Sequence, residues 1–441
     1  MIAGNPAKAL IFFAAPLVLG NLFQQFYTIV DSVVVGKFVG ENALAAVGAS
    51  YSITNIIIMI AIGGGMGSSV IISQYFGAGQ RGKMKTAVNT ALWSFLGVSV
   101  LLAILGFVLS RPILLWMETP QNVLRDAVLY LKIYFAGLPF VFMYNVQSSV
   151  FQALGDSKRP LYLLIFSSLL NIALDLLFVL RFHMGIAGVA YATFLAQGLA
   201  CGIAFFVLRR KLREYSAKTW RRFDGRILET MVKVAVPSIL QQSIVSIGML
   251  LVQAVVNSFG SSVLAGYTAG MRIESICIMP MIALGNAMST FTAQNIGAGT
   301  MERVKRGYRF SYLLVAVVAA VTLLLLQAFS EEFIVAFLES SESQAAALST
   351  GTSYLFFMSF FFFIFGSKII TDGVLRGAGD VVVFTVANLV NLSLRVVFAN
   401  VFAPIIGIQA VWMAVPIGWS VNFLITFPRY LSGKWREAHV I

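Results

Sequence analysis

Charge is what this chain has least of. Only 11% of its 441 residues are Asp, Glu, Lys or Arg, where soluble domains carry about 25%. Hydrophobic residues make up 59%, and the mean hydropathy is +0.87. No stretch is polar enough to form a soluble domain, so the chain reads as a polytopic membrane protein. Acids are the scarcer sign, 18 against 31 Lys and Arg, for a net charge of +13. With no soluble domain to present a basic patch, nucleic acid is excluded as a partner. Topology accounts for the excess instead, because Lys and Arg collect in cytoplasmic loops. Cysteine is almost absent: Cys201 and Cys277 both lie in apolar runs, which argues against a disulfide framework or a metal cluster and for packing. The two histidines, His183 and His439, are far apart. There is no His/Asp/Glu metal cluster, no serine–histidine arrangement and no phosphate loop, so neither an enzyme nor a cofactor is expected. A cleavable signal peptide is not expected either, since the first apolar run is too long for one.

What is present is a series of twelve apolar runs, near 10–36, 44–73, 87–110, 126–153, 160–181, 186–208, 230–258, 263–293, 309–330, 345–374, 381–403 and 407–430. A membrane-spanning helix needs about 20 residues at 1.5 Å each. The connections are short except one, at 209–229, which carries Arg209, Arg210, Lys211, Arg213, Lys218, Arg221, Arg222 and Arg226. Such a loop stays in the cytoplasm. Lys83, Lys85, Lys158, Arg159, Arg303 and Lys305 fall on the same side, whereas Glu331, Glu332, Glu339 and Glu342 fall on the other. Twelve spans then place both termini in the cytoplasm, for a multi-pass protein of the cell membrane.

The chain repeats itself. Gln74, Gly77, Ala78 and Gly79 recur 220 residues later as Gln294, Gly297, Ala298 and Gly299, and Gly40 as Gly260. Pro16 matches Pro237 at a shift of 221, and Gly155-Asp156 matches Gly379-Asp380 at 224. Ordered matches at a nearly constant shift predict an all-α integral membrane fold of twelve transmembrane helices in two homologous six-helix lobes. The lobes are 1–208 (helices 1–6) and 230–441 (helices 7–12), joined by the 209–229 basic linker. Duplicated bundles of this kind mark secondary transporters, which alternate access by rocking one half against the other; channels and enzymes can share the layout.

Within this apolar chain the polar residues stand out. The first run, 10–36, contains Pro16, which should bend a helix, then Asn21, Gln24, Gln25, Thr28 and Asp31. A charged Asp at mid-membrane costs about 2.5–3.5 kcal/mol on insertion scales, so Asp31 is a functional candidate, unless it sits among the headgroups beside Lys37. In the fifth run Asn171 and Asp175 are four apart and share a helix face. A carboxylate with an amide one turn away offers oxygen donors to a proton or a monovalent cation; the structural alternative is an ion pair of Asp175 with Arg181. The sixth run adds Thr193 and Gln197. The second half differs. Arg395 falls at the position of Asn171 by the 224 shift, and the other intramembrane charges are Arg272, Glu274, Lys368 and Asp372. Lys368 and Asp372 have helical i,i+4 spacing and could pair; Arg272 and Glu274, two apart, could not on a regular helix. The Gly63-Gly64-Gly65 run reads as a point of close helix packing or flexibility.

The segment from Pro16 through Asp31 to Gly36, the Gln74-to-Gly79 turn with its repeat, and Gly155-Asp156 together resemble the multidrug and toxic compound extrusion (MATE) transporters, over nearly the whole chain. The resemblance implies an antiporter that exports organic, often cationic and amphipathic compounds against H⁺ or Na⁺. The cation site of its DinF-like branch would correspond here to Asp31, Asn171, Asp175 and Thr193, and its helix-bending proline to Pro16. Gln24, Tyr27, Gln197 and Glu274 are the substrate-cavity candidates. The chain departs from the NorM-like branch: the seventh run has no acid, and Lys368 lies near that branch's tenth-helix aspartate, which argues against a second-lobe sodium site. No metal is implied beyond Na⁺ at the coupling site. Partners would be small organic substrates and the lipid bilayer, and a monomer suffices. A lipid-linked precursor flippase of the same superfamily is the alternative; it would need a cationic cavity, for which Arg272, Lys368 and Arg395 are the candidates.

Overall fold

A bilayer offers no water to backbone N–H and C=O groups, so an apolar chain of this length satisfies them within helices. The computed structural model describes residues 1–217, 219–337 and 344–438, and no strand occurs among them. Lys218, Glu339, Glu342 and His439, noted above, lie outside the described residues. The helices are α1 (Pro6–Val34), α2 (Glu41–Gly77), α3 (Arg81–Trp116), α4 (Gln121–Ala153), α5 (Lys158–Leu176), α6 (Gly185–Arg213), α7 (Gly225–Asn257), α8 (Ser261–Gly297), α9 (Met301–Val335), α10 (Gln344–Ser359), α11 (Phe362–Ala378), α12 (Val381–Ile406) and α13 (Gln409–Leu431). Ten are long and apolar enough to cross a membrane, and α10 with α11 makes one span broken by 56°. With α7, a 33-residue helix containing Pro237, the crossings number twelve.

Two expectations need correcting. The tenth run is not one straight span. Ser359 at its break turns its hydroxyl to the Phe356 carbonyl, and the Gln327 side chain from α9 donates to both Phe356 O (3.3 Å) and Ser359 Oγ (2.8 Å). A side chain inserted into the ladder satisfies the carbonyl that a bend sets free. The 209–229 connection is also shorter than expected. Helix α6 continues to Arg213 and α7 begins at Gly225, so the basic residues at either end are helical and the loop is 214–224.

The repeat is written in the backbone. Gly40 and Gly260, Gly79 and Gly299, and Gly155 and Gly379 all have positive φ, between 69° and 113°. Each pair occupies the same turn in its half, where a side chain would be strained. Beside the last pair, Asp156 pairs with Arg159 (2.6 Å) and Lys211 (3.1 Å), and Asp380 pairs with Arg429 (2.6 Å). In both halves this carboxylate ties the start of one helix to the end of the next.

The described chain divides into two compact units, Leu19–Ile239 and Met1–Val18 with Leu240–Ile441. Each division falls inside a helix, α1 or α7, two residues beyond the matched prolines Pro16 and Pro237. In the first unit Ala46, Ala61, Leu114, Leu131, Phe135, Phe142 and Val189 form a core from α2, α3, α4 and α6. The glycine run of α2 sets its packing. An added Cβ would lie 2.7 Å from Ile239 Cα at Gly63, 2.5 Å from Ser149 Oγ at Gly65 and 2.4 Å from Ala235 Cα at Gly67. Gly63 and Gly67 therefore let the backbone of α7 approach, and Gly65 admits α4. In the second unit Leu10, Phe13 and Ala14 of α1 pack among Met288, Phe291, Tyr308, Val374 and Phe384.

Candidate functional site

Asp31 on α1 and Asp175 on α5 meet in the first unit, with their carboxyl groups in direct hydrogen-bonding contact. Asp175 is fully buried and Asn171 nearly so, because they lie one turn apart on the face that α5 turns inward. Asn171 hydrogen-bonds the Tyr27 hydroxyl. With its amide oriented to satisfy both ends, its nitrogen donates to Asp175 Oδ2 (3.3 Å) and its oxygen accepts from the Thr193 backbone N–H (3.0 Å); in the opposite orientation the amide donates to Thr193 Oγ1 (3.4 Å). Asp31 Oδ1 and Asp175 Oδ1 are both buried without a protein donor. Asp175 does not pair with Arg181, which is exposed.

The chemistry follows from that arrangement. Two carboxylates in contact cannot both remain ionised without a proton or a cation between them. The groups around them, two carboxyls, an amide, a phenol and a hydroxyl, offer oxygen atoms that suit a proton or a hard monovalent cation. Beyond the carboxylates both helices widen into a π turn, Val35–Val39 after α1 and Leu177–Arg181 after α5, and the two turns touch. Such turns are frequent at functional sites.

Two further tyrosines were not legible in the sequence. Tyr130 on α4 faces both Asp31 and Asp175. With Tyr134, Thr193 and Gln197 it lines a narrow cavity between α4 and α6, in which Gln197 Oε1 and Tyr134 Oη have no partner. Their i,i+4 spacing in the fourth run was the available signal. The substrate-cavity candidates separate. Tyr27 belongs to the carboxyl cluster and Gln197 to the neighbouring cavity. Gln24 is exposed. Glu274 lies in the other unit, where it accepts the Tyr354 hydroxyl. Pro16 is buried within α1.

In the second unit Asp372 is paired within the protein. Lys368 Nζ is 2.8 Å from Asp372 Oδ2 and 2.9 Å from Asn388 Oδ1, as the i,i+4 spacing predicts. Arg395 acts on Glu274 only at longer range, with no ion pair between them among the described residues, while Arg272 is exposed. An added Cβ at Gly418 of α13 would meet both Asn391 and Arg395 of α12, so the two share the face that α12 turns to α13.

Comparison with known proteins adds descent. The MatE family model matches residues 16–177 and 237–401. A probable multidrug resistance protein of Bacillus subtilis, YpnP, is 32% identical over 98% of this chain and 96% of its own. A probable multidrug resistance protein of Thermotoga maritima, NorM, is 23% identical over 98% and 94%. The fold superposes on a multidrug resistance MATE family transporter solved in its outward-facing conformation, with a TM-score of 0.90 at 24% identity, covering 99% and 98% of the two chains.

Proposed function

The chain belongs to the MatE family of multidrug efflux transporters, and from that premise we propose that it is an antiporter driven by H⁺ or Na⁺ through Asp31 and Asp175. The observation that carries the reading is the carboxyl–carboxyl contact, with Asn171, Tyr27 and Thr193 around it and, among the described residues, no Lys or Arg paired with it. An incoming proton or Na⁺ cancels one of the pair's two negative charges and draws α1 toward α5. When the ion leaves, the two charges repel and α1 is pushed off. Pro16, with no N–H to donate, is where α1 yields to that change. The membrane potential supplies about 2.3 kcal/mol per charge per 100 mV. Alternating access then exchanges the ion for an organic compound moving outward. The multidrug relatives favour such export over lipid-linked precursor flipping. The second unit, whose Asp372 is already paired with Lys368, needs no ion at that carboxylate. By its basic loops the protein places both termini in the cytoplasm, and it works as a monomer.

The test is export of a fluorescent organic cation from proteoliposomes under a H⁺ gradient and, separately, a Na⁺ gradient. Native protein should respond to one of them. Asp31→Asn and Asp175→Asn, checked for unaltered melting, should each lose at least tenfold of the gradient-driven rate. Transport that persists in both variants would overturn the assignment of the coupling site.

A further inference from the structure

A second feature of the first unit is built from the basic residues that topology alone would leave scattered. Between α3, α6 and the loop leading to α7 lies a cavity of about 610 Å³. Four cations line it: Lys85 from α3, Arg209 and Arg213 from α6, and Arg222 from the loop. No acid is among the described residues that line it. Its remaining wall is largely apolar, with Leu92, Trp93 and Phe205. Trp93 and Trp220, both about half exposed, stand at its edge, where amphipathic rings settle at the headgroup level.

The loop is not free to drift from this position. The Arg221 N–H donates to Thr86 Oγ1 (3.0 Å) and the Asp224 N–H to Thr90 Oγ1 (3.1 Å), both on α3. Gly82 comes so close that a Cβ there would be 2.5 Å from Thr219 O. Trp220 and Arg222 are therefore held over the cavity by main-chain contacts, opposite the two α6 arginines.

We propose that this cavity binds one anionic phospholipid from the leaflet on the basic side of the membrane. The phosphate would lie among Arg209, Arg213, Arg222 and Lys85, and the acyl chains along Leu92, Trp93 and Phe205. Charge selects the headgroup: four cations with no acid among them favour a net negative lipid over a zwitterionic one, and basic pockets between helix ends suit such headgroups. The apolar wall selects a lipid over a free anion, which would leave that surface uncovered. Because the occupant touches α3, α6 and the loop at once, it would brace the loop between α6 and α7 against α3.

Native mass spectrometry of the full chain in detergent tests this, with phosphatidylglycerol and, separately, phosphatidylethanolamine of the same acyl chains, and inorganic phosphate as competitor. One phosphatidylglycerol should be retained per chain, at least tenfold more tightly than phosphatidylethanolamine, and millimolar phosphate should not displace it. Arg209→Gln/Arg213→Gln should weaken retention about 30-fold, and Arg222→Gln alone about fivefold. Lys83→Gln/Lys158→Gln, two exposed cations outside the cavity, should leave it unchanged. Equal retention of the two lipids, or equal weakening by the Lys83/Lys158 pair, would overturn the site in favour of diffuse surface charge. Displacement by phosphate would overturn the lipid in favour of a simple anion.

Discussion

Removing the ammonium group of Lys368 tests whether the second unit depends on its internal counter-charge. The Lys368 and Asp372 side chains are only 7% and 6% exposed, and their charged atoms are 2.8 Å apart. Taking away one partner of a buried pair typically costs about 3–5 kcal/mol, because the remaining charge is stranded. Here Arg376 still acts on Asp372 from one turn away and Asn388 Nδ2 stays 3.5 Å from it, so Lys368→Met should fall near the lower end, about 3 kcal/mol. For a unit of this size each kcal/mol moves the melting temperature about 2–4 °C, which predicts a drop of about 6–12 °C. Asp372→Asn strands the ammonium group and should drop similarly. The double variant, Lys368→Met with Asp372→Asn, has no buried charge to strand, and its loss should be about 1 kcal/mol or less. The assay is thermal unfolding of the four purified proteins in one detergent, followed by intrinsic fluorescence. Single variants that melt within 2 °C of native, or a double variant that loses the sum of the singles, would refute the reasoning.

Other expectations follow from the same packing. Gly67→Ala drives a Cβ to 2.4 Å from the Ala235 backbone, whereas Gly97→Ala, also mid-helix, meets nothing within 4 Å; the first should destabilise by about 1–3 kcal/mol and the second be neutral or raise stability by up to ~1 kcal/mol, read as opposite shifts in melting. Tyr354→Phe removes the hydroxyl that Glu274 accepts and should cost about 1–3 kcal/mol in the same assay, with the gradient-driven rate per folded molecule retained. Asp156→Asn releases both Arg159 and Lys211, so amide exchange should quicken at the end of α6 around 207–213 while the core of α4 stays protected; unchanged exchange there would show that the pairing does not hold α6.

How much of the site could be read in advance depended on distance along the chain. Asn171 and Asp175 share a face because helical spacing requires it, and Lys368 with Asp372 pair for the same reason. The intramembrane position of Asp31 marked it by cost alone. That Asp31 and Asp175 touch is a relation between helices 144 residues apart, which local spacing does not encode. Tyr130 and Tyr134 looked like two more aromatics in an apolar run.

The sequence alone determined the membrane class, the number of crossings, the duplication and the family, because these rest on composition, run length and ordered repeats. Each of these is a property of residues near one another in the chain or of a pattern summed along it. Tertiary structure decided which carboxyls have a partner and which do not. It showed two carboxyls in contact in one unit and Asp372 paired with Lys368 in the other. It also showed that four basic residues from α3, α6 and a loop surround one cavity. The physical reason is that a buried charge is costly or harmless according to what lies within a few ångströms of it, and the chain fixes that distance only once its helices have packed.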